Sequence, residues 1–194
     1  DLHSPKEGIA VSYSDFKSLE MIQEAFAIQI LDRMNLFSAV AEHSASDLLT
    51  QILNYNISLA VAIHTEKARS ELIVMPMLVE VLKFLEPQIS LFSGIRFNVD
   101  ESKGLLGICD FVISRSSEQT VMSAPVVTMV EAKDDNIREG LPQCAAEMIA
   151  AYVFNENKKN KIPVIYGCVT TGEIWKFLKL EHQILTIDLP NYYI

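Results

Sequence analysis

Six short runs rich in valine, isoleucine and phenylalanine follow one another after Pro87, and most are bounded by turn residues. Runs of this length and composition are typical of β-strands. One segment with helical spacing, about residues 140–155, separates the third run from the fourth. The predicted strands are 92–99, 105–114, 126–133, 164–170, 175–180 and 184–187. This order predicts an α/β fold in which helices cover the faces of a sheet.

Three helices are predicted before these strands. Apolar residues at three- and four-residue steps predict the first over 14–31, with Ser14 and Asp15 at its start. Ser46 and Asp47 begin a second helix that runs to about Asn54. A longer helix is expected over 65–86, kinked near Pro76 because proline lacks an amide donor.

A chain of 194 residues fits one domain, or one domain with an extension. We expect residues 1–60 to form a helical region that packs on or extends the core, and residues 61–194 to form the α/β domain. The N-terminal region is either part of the core or a partner surface. Dimerisation through it, giving a homodimer, is one expectation.

Cysteine usage and hydropathy favour a cytoplasmic protein that does not cross a membrane. The three cysteines lack a Cys-x-x-Cys spacing, which argues against a disulfide framework and a zinc site. No apolar run reaches the roughly 18 residues needed to span a bilayer. The polar start from Asp1 to Glu7 lacks the order of a signal peptide.

The formal net charge of −9 argues against a protein that coats nucleic acid nonspecifically, because such binding depends on lysine and arginine. It does not argue against a nuclease. A metal site is itself built from carboxylates, and bound cations reverse the local charge where a phosphate must lie.

The end of the third predicted strand carries a carboxylate and an ammonium group two positions apart, at Glu131 and Lys133. Both side chains therefore point to the same face of the sheet. Phosphodiester hydrolysis uses such a pair, with a carboxylate for Mg²⁺ and a lysine that steadies the attacking water or the developing charge. The same acid-x-Lys spacing recurs at residues 15–17, 101–103 and 156–158, where solvated charge is the natural interpretation.

Asp110 distinguishes the copy at Glu131 from the others. It is a lone carboxylate in the apolar run 107–113, where burial is costly unless a metal or a donor compensates it. If the two strands are antiparallel neighbours, Asp110 and Glu131 can share one cation, and their hard oxygen ligands favour Mg²⁺ or Mn²⁺ over zinc. The alternative is that Asp110 caps a turn or pairs with Lys133.

Gly-x-x-Asp on one strand, Glu-x-Lys at the end of the next, and a following helix with Gln143 together resemble the PD-(D/E)XK nuclease superfamily over about residues 65–180. The strings around residues 131–133, 143–146 and 166–175 are also similar to a group of bacterial proteins of unassigned role. The resemblance implies a restriction-endonuclease-like mixed β-sheet flanked by helices. Cys109 stands where the superfamily's name has proline.

The resemblance also implies roles for individual residues. Asp110 and Glu131 would bind the metal together with the backbone carbonyl of Ala132, and Lys133 would assist the water. Gln143 matches the superfamily's helix glutamine, and its place in the first turn of a helix favours a phosphate. A solvent-facing glutamine is the alternative.

The superfamily also places an acid on the helix before the first strand, and Glu66, Glu71 and Glu80 are the candidates. At about 100° per residue, Glu66 and Glu80 fall on a solvated face, whereas Glu71 lies on an apolar stripe. Glu71 is therefore the expected site residue.

These observations predict a Mg²⁺- or Mn²⁺-dependent nuclease that acts on nucleic acid, DNA being favoured. The alternative is a catalytically silent nuclease-like module that binds nucleic acid or a protein partner. The acidic charge and the lack of an obvious basic stripe favour that alternative.

Overall fold

The computed structural model describes residues 12–194, so the polar start at residues 1–7 lies outside the described part of the chain. The fold is a mixed α/β fold in which helices flank one large mixed sheet. The helices are α1 (Leu19–Phe26), α2 (Asp47–Ile63), α3 (Glu66–Arg69), α4 (Met75–Leu85) and α5 (Ile137–Asn157). The strands are β1 (Gln29–Met34), β2 (Ser90–Arg96), β3 (Ile108–Ser114), β4 (Val126–Ala132), β5 (Val164–Thr170), β6 (Ile174–Glu181), β7 (Ile184–Asp188) and β8 (Tyr192–Tyr193).

The sheet has the strand order β1-β7-β6-β5-β4-β3-β2, and β8 pairs with β6. Strands β2, β3 and β4 are antiparallel neighbours. Helix α5 then carries the chain across to β5, which runs parallel to β4. Strands β5, β6 and β7 continue antiparallel, and β1 pairs in parallel with β7 at the edge.

Each face of the sheet packs against its own group of helices. Helices α1 and α5 pack on one face, where Met129 of β4 and Val169 of β5 are buried against Met148 of α5. On the other face, Val74 and Leu78 pack against Val130 of β4. Strands β4 and β5 are therefore covered on both sides, and this explains why they appear as nearly continuous apolar runs in the sequence.

Small residues bring α5 unusually close to the sheet. Ala146 and Ala150 are fully buried. At Gly167 of β5, an added Cβ would lie 2.3 Å from the Met148 sulfur and 3.0 Å from the Cys144 sulfur, so a larger residue would fit only if these side chains shifted. This close contact fixes the position of α5 over β4 and β5.

All six predicted strands are present within a few residues of their expected bounds, and so is the helix between the third and the fourth. Ser46 caps its helix as expected, accepting a hydrogen bond from the Leu49 amide at 3.2 Å. That helix, α2, is longer than predicted. Within residues 12–194, none of the helices combines the length and apolarity needed to cross a bilayer.

The first predicted helix differs most from the structure. Instead of one helix over 14–31, a 3₁₀ turn (Tyr13–Asp15) precedes α1, which ends at Ala27 in the left-handed conformation. The chain then forms β1, whose Gln29 pairs with Ile184 of β7. The partner of this strand lies far along the chain, so local periodicity did not detect it.

The helix predicted over 65–86 is divided by a π-helical turn, Ser70–Val74, between α3 and α4. Pro76 follows directly in α4 and has no amide to donate to the Leu72 carbonyl, which accepts a hydrogen bond from the Asn56 side-chain amide at 2.8 Å instead. A π turn adds residues to the helical repeat. It therefore changes which side chains share a face across the segment.

Candidate functional site

Strands β3 and β4 separate at the position of Asp110. Their ladder pairs Phe111 with Val130 as its last step in this direction. One position further, the Asp110 carboxylate accepts a hydrogen bond from the Ala132 amide at 2.8 Å, so a side chain replaces the backbone partner. Asp110 is thus held at the end of the strand that carries Glu131.

Glu131 and Lys133 form a close pair at the end of β4, with 2.5 Å between Glu131 Oε1 and the Lys133 ammonium. The Glu131 residue is 1% exposed. Burial raises the pKa of its carboxyl to about 8, and the nearby Asp110 charge adds to the rise while Lys133 opposes it. The Lys133 amide donates to the Thr170 carbonyl at 2.8 Å, which holds this end of β4 against β5.

Helix α5 brings an amide and a carboxyl to the same place. Gln143 Oε1 lies 3.5 Å from the Lys133 ammonium, and Gln143 Nε2 donates to Glu147 Oε1 at 3.3 Å. Glu147 is fully buried, and burial together with the Glu131 charge raises the pKa of its carboxyl well above the ordinary value. The structure therefore brings Gln143 to the strand that carries Glu131 and Lys133, and adds Glu147.

Glu66 rather than Glu71 is the helix acid that approaches Lys133, with 3.9 Å between Glu66 Oε2 and the ammonium nitrogen. Burial raises the pKa of the Glu66 carboxyl. The Glu71 side chain is 61% exposed and pairs with Lys67 at 2.7 Å. Glu80 accepts from the Ser46 amide, away from the site.

The π turn explains this difference from the sequence-based expectation of Glu71. The angular comparison of the three acids assumed a regular helix of about 100° per residue. Residues Ser70–Val74 depart from that repeat. Glu71 still borders a cleft of about 260 Å³ that is also lined by Glu66 and Asp110, so the cleft gives the half-buried carboxylate of Asp110 a route to solvent.

The charges of this cluster suit a bound cation. Glu131, Glu66 and Asp110 all act on the single ammonium of Lys133, and Glu147 adds a further carboxyl beside Glu131. Oε2 of Glu131 and Oε2 of Glu147 are buried and have no hydrogen-bond partner. Carboxylate oxygens are the ligands that Mg²⁺ and Mn²⁺ prefer, so the donor set fits such a cation.

Within residues 12–194, no group of three or more His, Cys, Asp or Glu side chains is arranged so that it could hold a metal ion. Ala132 is buried between Glu131 and Lys133, and its carbonyl remains a predicted ligand. Binding of a cation at this cluster would therefore require the glutamate side chains to move.

A larger cavity of about 830 Å³ lies on the opposite face of the sheet, between α4 and strands β4 to β6. Its lining is mainly apolar, and the Glu80 carboxylate at its edge is already bonded to the Ser46 amide. Asp110, Glu131, Lys133 and Glu147 do not line this cavity. The cluster of acids around Lys133 is therefore separate from it.

The site residues expected from the sequence did not include Glu147, and Glu66 was expected on a solvated face. For Glu147 a usable signal existed, because it is the lone carboxylate in the apolar run 144–153. That is the same pattern that singled out Asp110. Glu66 offered no such signal, since its approach to Lys133 depends on the π turn.

No protein-family model matches this chain, and no curated protein matches it in sequence. The functional interpretation therefore rests on the geometry and electrostatics of the cluster itself.

Proposed function

We propose that this chain is a metal-dependent nuclease with a restriction-endonuclease-like fold of the PD-(D/E)XK type, and that it hydrolyses phosphodiester bonds, with DNA as the favoured substrate. One observation carries the proposal: Asp110 lies at the end of the strand that bears Glu131 and Lys133, and an oxygen of buried Glu131 has no partner. A carboxylate is costly to bury in this way unless a cation compensates it.

Asp110, Glu131 and the carbonyl of Ala132 would hold Mg²⁺ or Mn²⁺. Such a cation neutralises charge on the phosphate and lowers the pKa of water. Lys133 lies between Glu131 and Gln143, where its ammonium can orient the attacking water or stabilise charge that develops on phosphorus-bound oxygens. The Gln143 amide can hold a phosphate oxygen or the water.

The proposal is tested by incubating plasmid DNA with purified protein and Mg²⁺ or Mn²⁺, beside Glu131→Ala and Lys133→Ala. We expect cleavage by the unaltered chain and a loss of about 100-fold or more in each variant. Glu101→Ala and Lys103→Ala are the matched controls, because these two residues have the same acid-x-Lys spacing but lie in a polar turn. Both variants should cleave plasmid DNA like the unaltered chain.

Equal cleavage by all of these proteins would indicate a contaminating nuclease. Lack of cleavage by a folded, unaltered chain on duplex and single-stranded DNA and on RNA would contradict the proposal.

The second candidate function is a nuclease-like module without catalysis that binds nucleic acid or a protein. The net charge of −9 favours this candidate, because a working nuclease ordinarily offers a basic route for the polyanion. Mn²⁺ binding that depends on Asp110 distinguishes the nuclease from this alternative.

A further inference from the structure

Glu147 is a carboxylate that the protein's packing does not explain. It lies in the middle of α5, is fully buried, and its Oε2 has no hydrogen-bond partner. Its neighbours along the helix are alanines, methionine and isoleucine. An apolar residue of similar size would fill this place without the penalty of burying an unpaired carboxyl.

Among the described residues Glu147 forms no salt bridge, although the Lys133 ammonium lies nearby, bonded to Glu131 and Gln143. Besides burial, the Glu131 carboxyl, which is within hydrogen-bonding reach, and Asp110 raise the pKa of Glu147, because like charges oppose its ionisation. Its other oxygen receives a single bond of 3.3 Å, from Gln143, and that amide belongs to the same cluster. Glu147 thus adds negative charge to a place that already holds Asp110 and Glu131.

The helix sets the backbone position of Glu147, so only the rotamer of its side chain can adjust to a cation. Gln143 lies one turn earlier on the same face of α5, and its side chain reaches the Lys133 ammonium. Cys144 and Met148, which flank this face, pack closely against Gly167 of β5. The helix cannot turn Glu147 away from β4 without breaking that contact.

We propose that Glu147 is a further ligand of the divalent cation, so that α5 contributes a third carboxylate beside Asp110 and Glu131. This inference rests on the proposed function and extends it. The two oxygens without partners, Glu131 Oε2 and Glu147 Oε2, belong to neighbouring buried carboxyls and can be satisfied by one cation. Hard divalent cations take such oxygen ligands readily.

The test is Mn²⁺ calorimetry on the full chain, with Glu147→Gln compared with the unaltered protein. Glutamine keeps the shape of glutamate and its hydrogen bonding but removes the charge. We expect the Mn²⁺ dissociation constant to rise by about tenfold or more. Glu156→Gln, an exposed position on the same helix, should bind Mn²⁺ like the unaltered chain.

Thermal unfolding in EDTA checks that Glu147→Gln folds. Asp110→Asn, measured in parallel, separates this inference from the function on which it rests. If Asp110→Asn abolishes Mn²⁺ binding and Glu147→Gln leaves it unchanged, Glu147 is a structural residue and the inference fails alone. If the unaltered chain binds no Mn²⁺, the proposed function fails as well.

Discussion

At the scale of single residues, the candidate site concentrates negative charge where little water reaches it. Glu131 and Glu147 are both buried, and the pKa of each carboxyl is raised, chiefly by burial. A buried acid whose pKa is raised favours the protonated form. The folded chain without a cation therefore binds protons that the unfolded chain releases.

This linkage predicts that the cation-free protein loses stability as pH rises. For Glu131 the window runs from its ordinary pKa of 4.5 to its folded value of about 8. In EDTA, the free energy of unfolding from urea titrations should fall between pH 5 and pH 8.5 by more than about 1 kcal/mol. Carboxyls whose pKa is lowered, such as Asp100, stabilise the fold above their ordinary pKa. That stabilisation is lost only at pH values below this window.

Lys133 does not alter that prediction. Its pKa is raised above 10.5, because the effect of neighbouring acids outweighs burial, so its contribution is lost only at higher pH. The double variant Glu131→Gln/Glu147→Gln is the control and should show a much smaller fall. A stability that is flat or rises over the same range in the unaltered chain would contradict this account.

The residues of the site were predictable to different degrees. Asp110 and Glu131 interrupt apolar strands, and a lone carboxylate in such a run can be recognised from the sequence. That Glu66 rather than Glu71 approaches Lys133 was not recognised, because the comparison of these acids assumed a regular helix and the π turn at Ser70–Val74 departs from it.

At the scale of elements, short segments position the site. Helix α3 has four residues and continues through the π turn into α4. Arg69 in its last turn is 5% exposed and donates to the Thr171 carbonyl at 3.0 Å and to Glu173 at 2.7 Å. The helix that carries Glu66 is thus attached to the turn between β5 and β6.

Replacement of Arg69 by alanine should therefore be costly. We expect Arg69→Ala to lower the free energy of unfolding by about 2 kcal/mol, because a buried side chain and its two charge-assisted bonds are lost. Lys67→Ala is the matched control on the same helix, and loss of its solvent-exposed pair with Glu71 should change the free energy of unfolding far less than Arg69→Ala does. Urea titration of both variants measures the difference, and equal effects would contradict the assignment.

Gly140 lies in the first turn of α5, where the helix packs closely against β5. An added Cβ at Gly140 would lie 2.5 Å from Val169 Cγ1 and 3.2 Å from Lys133 Cγ. Helix propensity alone predicts that Gly140→Ala stabilises the chain by about 0.5–1 kcal/mol. The collision predicts the opposite, a loss of about 1–3 kcal/mol.

The sign of the measured change decides between these two effects. A smaller loss in a Val169→Ala background would identify the collision as the cause, whereas stabilisation by Gly140→Ala would show that α5 lies further from the sheet.

The elements themselves differ in how far local sequence determines them. Strands β2 to β7 and helix α5 were recognised from composition and spacing alone. Strand β1 was not, because it depends on pairing with β7 at the other end of the described chain. Local periodicity cannot detect such a partner.

At the scale of the whole molecule, net charge and proposed substrate oppose each other. A chain with a formal net charge of −9 repels a polyanion, and binding would need cations at the point of contact. The cleft beside Glu66 and Asp110 can be this point of contact only when bound cations have reversed its negative charge.

Binding of DNA should therefore require a divalent cation. Fluorescence anisotropy with a labelled oligonucleotide should show negligible binding in EDTA and measurable binding with Ca²⁺, which suits oxygen ligands. The Ca²⁺-dependent part should disappear in Asp110→Asn. Tight binding in EDTA would instead favour the non-catalytic module.

In the proposed site, the carboxylates of Asp110 and Glu131 share one cation. Anomalous diffraction from crystals soaked in Mn²⁺ would locate this cation. We expect a manganese peak at about 2.0–2.2 Å from oxygens of both side chains. The absence of a peak at this site, with Glu131 still bound to Lys133, would contradict it.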